Sequence, residues 1–191
     1  MIANTMSSTA SKFLVRRTTG KFVGDRRGLA AIEFALLLPV MLLLYLGAVE
    51  VEEAIAADRL VGLTASTVTS LVTQYTTISA SQQMPDILNA STAVMYPFSG
   101  GQVTVVVSCI NVDATGRATI AWSQALNGSA RTVGQVVTLP TAFDVPNTSV
   151  IFGETAMAYT PVIDFLNFGT LHPQASLYMS PRSSSTITLT S

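Results

Sequence analysis

Gly28-Leu-Ala-Ala-Ile-Glu-Phe-Ala-Leu-Leu-Leu-Pro-Val-Met-Leu-Leu-Leu-Tyr-Leu-Gly-Ala-Val49 is a run of 22 residues with a single charge, Glu33. At 1.5 Å per residue a helix of this length is about 33 Å long, enough to cross a hydrocarbon core of about 30 Å. A helix also closes its own backbone hydrogen bonds, which lipid cannot do for it. The competing interpretation is the core helix of a soluble protein. Such helices rarely run this far without a polar face. The run therefore predicts a membrane-spanning segment.

The flanks give it a direction. Lys12, Arg16, Arg17, Lys21, Arg26 and Arg27 precede it against Asp25 alone, so residues 1–28 carry a net charge of +5. The remainder holds four basic and ten acidic residues, a net −6, and the overall −1 hides this asymmetry. Basic flanks stay on the cytoplasmic side. The N-terminus is expected inside, and everything after about residue 50 outside, a bacterial inner membrane. Nucleic-acid binding is the other use of a basic stretch, but no reading helix or aromatic platform accompanies it, and no nucleic-acid partner is expected.

With 49% hydrophobic and 11% charged residues, the chain is not a disordered polar tail. Its 191 residues fit one membrane segment and one small domain. The predicted division is a basic leader at 1–28, a transmembrane helix at 29–49, an amphipathic helical continuation at 50–77 and a mainly-β extracytoplasmic domain at 78–191. The fold class expected is α+β, with the amphipathic helix packed on a small antiparallel sheet.

The continuation carries an apolar stripe. Val51, Ala54, Ile55, Leu60, Val61, Ala65, Val68, Leu71, Val72 and Tyr75 recur mostly three and four apart. Glu50, Glu52, Glu53, Asp58 and Arg59 are expected to mark the entry into water. The β-branched Thr64, Thr67, Val68, Thr69, Val72 and Thr73 weaken helix propensity, so the second half needs the domain to pack against it.

Beyond Tyr75 the pattern changes. Met84–Ala90 predicts a short helix with Pro85 in its first turn. Ser99-Gly-Gly101 breaks the chain. Gln102–Val112 predicts a strand, Asp113–Gly116 a turn and Arg117–Gln124 a return strand, with Ile120 and Trp122 on one face. Further strands are expected at Arg131–Leu139 and Ser149–Tyr159, with one or two more in 174–190. Cys109, the only cysteine, excludes an intrachain disulfide and reads as a small buried hydrophobe.

Two residues inside the apolar run call for explanation. Pro39 cannot donate to the carbonyl of Ala35, so a kink is expected there. Glu33 costs about 2.5–3.5 kcal/mol at mid-membrane and less near the edge. It could sit at the interface without a role. If the chain is cut after Gly28, however, Leu29 becomes the first residue and Glu33 the fifth. A new α-amino group then lies about one helical turn from a carboxylate. The two can neutralise each other within a chain, or between neighbours set a register, an attraction that desolvation partly offsets.

Basic residues, Gly28, four intervening residues, Glu33 and the aromatic Phe34 leading into an apolar helix resemble a type IV prepilin processing site. The string Arg27–Pro39 is similar to the TadE-like pseudopilins of the tight-adherence (Flp pilus) system. Ala156–Ile163 and Ala175–Arg182 resemble, more loosely, the last strands of that family. The resemblance implies a prepilin peptidase cutting between Gly28 and Leu29. It implies Glu33 and Phe34 in processing or assembly, and other pilins and assembly-platform proteins as partners. The product would be a membrane-anchored minor subunit for a thin adhesive pilus.

Catalytic motifs are missing. There is no Walker loop, dinucleotide-binding glycine pattern, Gly-x-Ser-x-Gly or His-Glu-x-x-His. His172, the only histidine, precedes Pro173, and Asp144, Glu154 and Asp164 are scattered. No enzymatic activity, cofactor, metal or small-molecule substrate is expected. Two other functions stay open. One is a single-pass protein whose outer domain binds a ligand, which would keep residues 1–28. The other is a secreted protein cleaved near Ala54-Ile-Ala56.

Overall fold

The computed structural model describes residues 27–98 and 103–191. The basic leader up to residue 26 and the chain break at Ser99–Gly101 lie outside the described residues. Two units divide the chain, Met1–Leu44 and Tyr45–Ser191. Helix α1, Arg27–Val72, is continuous over 46 residues and supplies all that is described of the first unit.

In the second unit, β1 (Thr77–Ser79), α2 (Gln83–Val94), β2 (Val103–Val112), β3 (Ala118–Leu126), β4 (Thr148–Met157), β5 (Gln174–Met179) and β6 (Thr188–Thr190) follow in order. The main sheet is antiparallel in the order β3-β2-β4-β5. The fold is α+β, as the sequence predicts. A second pair, β1 with β6, is parallel and joins segments 111 residues apart in register from Thr77 and Thr188. Nothing in the local pattern of three-residue strands announces it.

One face of the main sheet meets α1. Ala57, Val61, Val68 and Val72 share a core with Val105, Val107, Cys109, Ile151 and Met157. The contact explains Thr69 and Thr73, whereas the hydroxyl of the buried Thr64 has no partner among the described residues. Thr69 Oγ1 donates to the Ala65 carbonyl at 2.6 Å, and Thr73 Oγ1 to that of Ser70 at 2.7 Å. Their hydroxyls are satisfied within the helix, so compact β-branched side chains can face a strand. On β4 the facing residue is Gly153. A Cβ there would lie 1.8 Å from Thr69 Oγ1. Burial against the sheet offsets the poor helix propensity.

The opposite face carries a smaller cluster of Ile110, Val112, Ala118, Ile120 and Phe152, covered by Val137, Leu139 and Tyr178. Phe152 stacks on Tyr178 with ring centroids 4.4 Å apart.

Four expectations need correction. The helical continuation stops at Val72 instead of residue 77. Its end is fastened by Arg182, whose backbone N–H donates to the Thr73 carbonyl at 2.9 Å. The strand expected at Arg131–Leu139 does not form. Gly134 adopts φ +82° within a turn from Thr132 to Gln135, leaving a single bridge between Thr119 and Val136. Ile120 and Trp122 lie on opposite faces, because the register shifts between Cys109 and Ile110. A bulge adds one residue and so reverses the alternation. Trp122 then joins the helix-side core and its Nε1 donates to the Ile187 carbonyl at 2.8 Å. Finally, Glu50 is buried rather than at a solvated boundary.

The predicted turn after β2 is built on Asp113. Its Oδ1 accepts from the Thr115 hydroxyl and the backbone N–H groups of Thr115 and Arg117. The Thr115 hydroxyl, first among these donors, holds the carboxyl below its usual range.

Cys109 is fully buried, and burial pushes its thiol from the ordinary 9.0 to about 11. The unfolded thiol ionises first as pH rises. Its contribution to stability is therefore complete below pH 9.0 and is lost between there and about 11. That rise corresponds to about 2–3 kcal/mol. Urea midpoints in detergent should fall between pH 8 and pH 10.5, and fall less in Cys109→Ala. Equal declines would contradict this.

Candidate functional site

Gly28, Leu29, Glu33, Phe34 and Pro39 all lie on α1. Around Gly28, its chain neighbours and own helix backbone aside, no atom of the described residues stands within 4 Å of where a Cβ would be. Every residue from Gly28 to Tyr45 is exposed, with Leu29 at 58% and Phe34 at 60%. Full burial of one such side chain is worth about 1.5–3 kcal/mol, so an uncovered helix of this composition is incompatible with water. One helix among the described residues is long and apolar enough to cross a membrane, and it is this one. Leu29 and Glu33 are one turn apart on it, with Glu33 exposed. Pro39 lies inside the continuous helix.

A second constellation surrounds α1 where the apolar run ends. Glu50 is 1% exposed. Its carboxylate accepts the backbone N–H groups of Phe165 and Leu166, the latter at 2.9 Å. One turn on, Glu53 Oε2 accepts the Tyr159 hydroxyl at 2.8 Å. Burial, followed by the Glu53 carboxylate, pushes Tyr159 up to about 12. The two N–H groups that converge on Glu50 lie between Asp164 and Asn167, which adopt φ +45° and +55°. Asp164 Oδ1 closes the turn by accepting the Gly169 N–H at 3.1 Å.

Both looser strings noted in the sequence fasten this helix. Tyr159 belongs to the first and reaches Glu53. Arg182 ends the second, and its guanidinium donates to Ser70 Oγ at 3.2 Å. The role of Glu50 was not visible in the sequence, where it is one acid among several. The available signal was its position as the first charge after sixteen uncharged residues.

The remaining candidate is an open groove of about 630 Å³ on the far face of the sheet, lined by Thr104, Ser129, Arg131, Glu154, Gln174 and Ser176. Arg131 and Glu154 engage each other through two 2.7 Å bonds. Arg131 also lies 5.1 Å from the Phe152 ring centroid. The pair satisfies itself, so the groove offers no free charge to a ligand. His172 is exposed, and among the described residues no three His, Cys, Asp or Glu side chains gather as a metal site would require.

The family model for TadE-like protein matches residues 28–67. That stretch of the chain is TadE-like. The match begins at Gly28, takes in Glu33, Phe34, Pro39 and Glu50, and bears out the resemblance drawn from Arg27–Pro39. It ends on α1 and leaves the β domain outside, including the strings at 156–163 and 175–182. No curated protein and no solved structure matches the chain. The TadE-like helix fits a single-pass membrane anchor and a pilin-like protein associated with the Tad pilus.

Proposed function

We propose that this protein is a non-catalytic, TadE-like pseudopilin that supports assembly of a thin adhesive Flp-type pilus. A prepilin peptidase removes residues 1–28, and the mature chain begins at Leu29. The N-terminus faces the cytoplasm and the β domain lies outside the inner membrane. One observation carries the proposal: the family match opens at Gly28, at the start of an uncovered apolar run, residues 28–49, whose sole charge, Glu33, lies one turn beyond Leu29. The charge asymmetry supports the orientation. An apolar helix exposed on all sides suits lateral packing with helices of other pilins as well as with lipid.

The processing step has a direct test. A bulky side chain at the residue preceding the scissile bond obstructs a peptidase without disturbing the helix, since among the described residues nothing beyond its own turn crowds the Gly28 Cβ position. Gly28→Phe should leave a precursor 28 residues longer, visible as slower gel migration, and should reduce piliation and surface attachment. Identical migration of variant and wild type would count against processing at this site.

A further inference from the structure

The loop after Tyr159 presents an unusual surface. Val162 is 91% exposed, Ile163 53%, and Phe165, Leu166 and Phe168 each slightly above 40%. Five exposed apolar side chains within seven residues exceed the scattered exposure normal for a soluble surface. The loop is not loose. Glu50 holds it by two backbone N–H groups and Asp164 closes it internally. The same bond occupies Asp164, the only charged residue between Tyr159 and Leu171.

Its position identifies the occupant. Leu166 lies against Gly47, whose Cβ would be 3.6 Å from the leucine. Gly47 belongs to the apolar run, so the loop sits level with the last turn of the hydrophobic segment. From there its apolar surface continues along α1. Val162 borders a mainly apolar groove with Val49 and Leu60, and Phe168 borders another with Val51 and Ile55, with Glu52 and Glu53 also lining the first and Asp58 the second. The loop thus straddles the helix where the segment meets water. Tyr45, exposed in the same region, is of the type enriched at that boundary.

We infer that residues 162–168 form a second membrane contact, a clamped apolar loop that dips into the outer interface of the bilayer that α1 crosses. This rests on α1 being a membrane anchor. The contact fixes the β domain to the lipid surface at two points, the helix and the loop, and so limits its tilt. Glu50 is the positioning residue, holding the loop at that depth.

The test uses the full chain in phosphatidylethanolamine–phosphatidylglycerol vesicles containing lipid brominated high on its acyl chains. Phe165→Trp and Val162→Trp place reporters in the loop, the second at a site too exposed to disturb packing. Trp122, the sole native tryptophan, is buried in the domain and serves as the reference. Both reporters should be blue-shifted and lose much of their emission to bromine, while Trp122 in the parent keeps its own. If the chain floats with the vesicles and neither reporter is quenched, the loop faces water or another protein and the inference is overturned. If the chain does not float at all, the anchor assignment fails and the inference falls with it.

Discussion

Gly153→Ala should lower the stability of the β domain by about 1–3 kcal/mol, the usual cost of forcing extra atoms into a packed interface. The added Cβ would lie 1.8 Å from Thr69 Oγ1, 3.1 Å from Thr69 Cβ and 3.5 Å from the Ala65 carbonyl oxygen. Thr69 cannot easily turn aside. Its hydroxyl is bonded to that same carbonyl at 2.6 Å, and β-branched side chains in helices are stiff at χ1. The strand must then move off the helix, loosening the core that Val68 and Val72 share with Val107 and Ile151. Urea unfolding in detergent measures the loss. Thr69→Ala removes the hydroxyl, so the double variant should recover much of it. Simple additivity of the two changes would contradict the proposed contact.

Glu50→Ala should release the 159–171 loop without unfolding the domain. The carboxylate holds two backbone N–H groups that have no other acceptor among the described residues, and charge-assisted bonds of this kind are among the stronger ones. Once freed, the loop can open and its N–H groups can bond to water, which limits the penalty. The loss is therefore local, about 2 kcal/mol. Hydrogen exchange should speed up by roughly 30-fold at the Phe165 and Leu166 amides and stay unchanged in β2. Glu50→Gln should release the loop too, since its amide can offer only one acceptor to two donors. Unchanged exchange at both amides in both variants would show that Glu50 does not hold the loop.

The sequence carried some parts of this architecture and concealed others. The apolar run was legible because lipid imposes a length and a composition that few other structures need. Strands β2 and β4 were legible as apolar, β-branched runs bounded by turn residues, and the Asp113 turn because its chemistry is local. The segment at 131–139 has strand composition, but the left-handed Gly134 interrupts it. A single bulge was enough to put Trp122 and Ile120 on opposite faces. Gly28, Leu29, Glu33, Phe34 and Pro39 were legible as a linear pattern. The Glu50 clamp was not, because its donors lie 115 and 116 residues away. Only the folded chain brings an acidic residue of the helix to backbone groups of a distant loop.

The most direct measurement is the N-terminal sequence of the protein recovered from native membranes. The mature chain should start at Leu29 with a free α-amine, four residues before Glu33. Recovery of a chain beginning at Met1, or of a soluble domain beginning near residue 57, would contradict it.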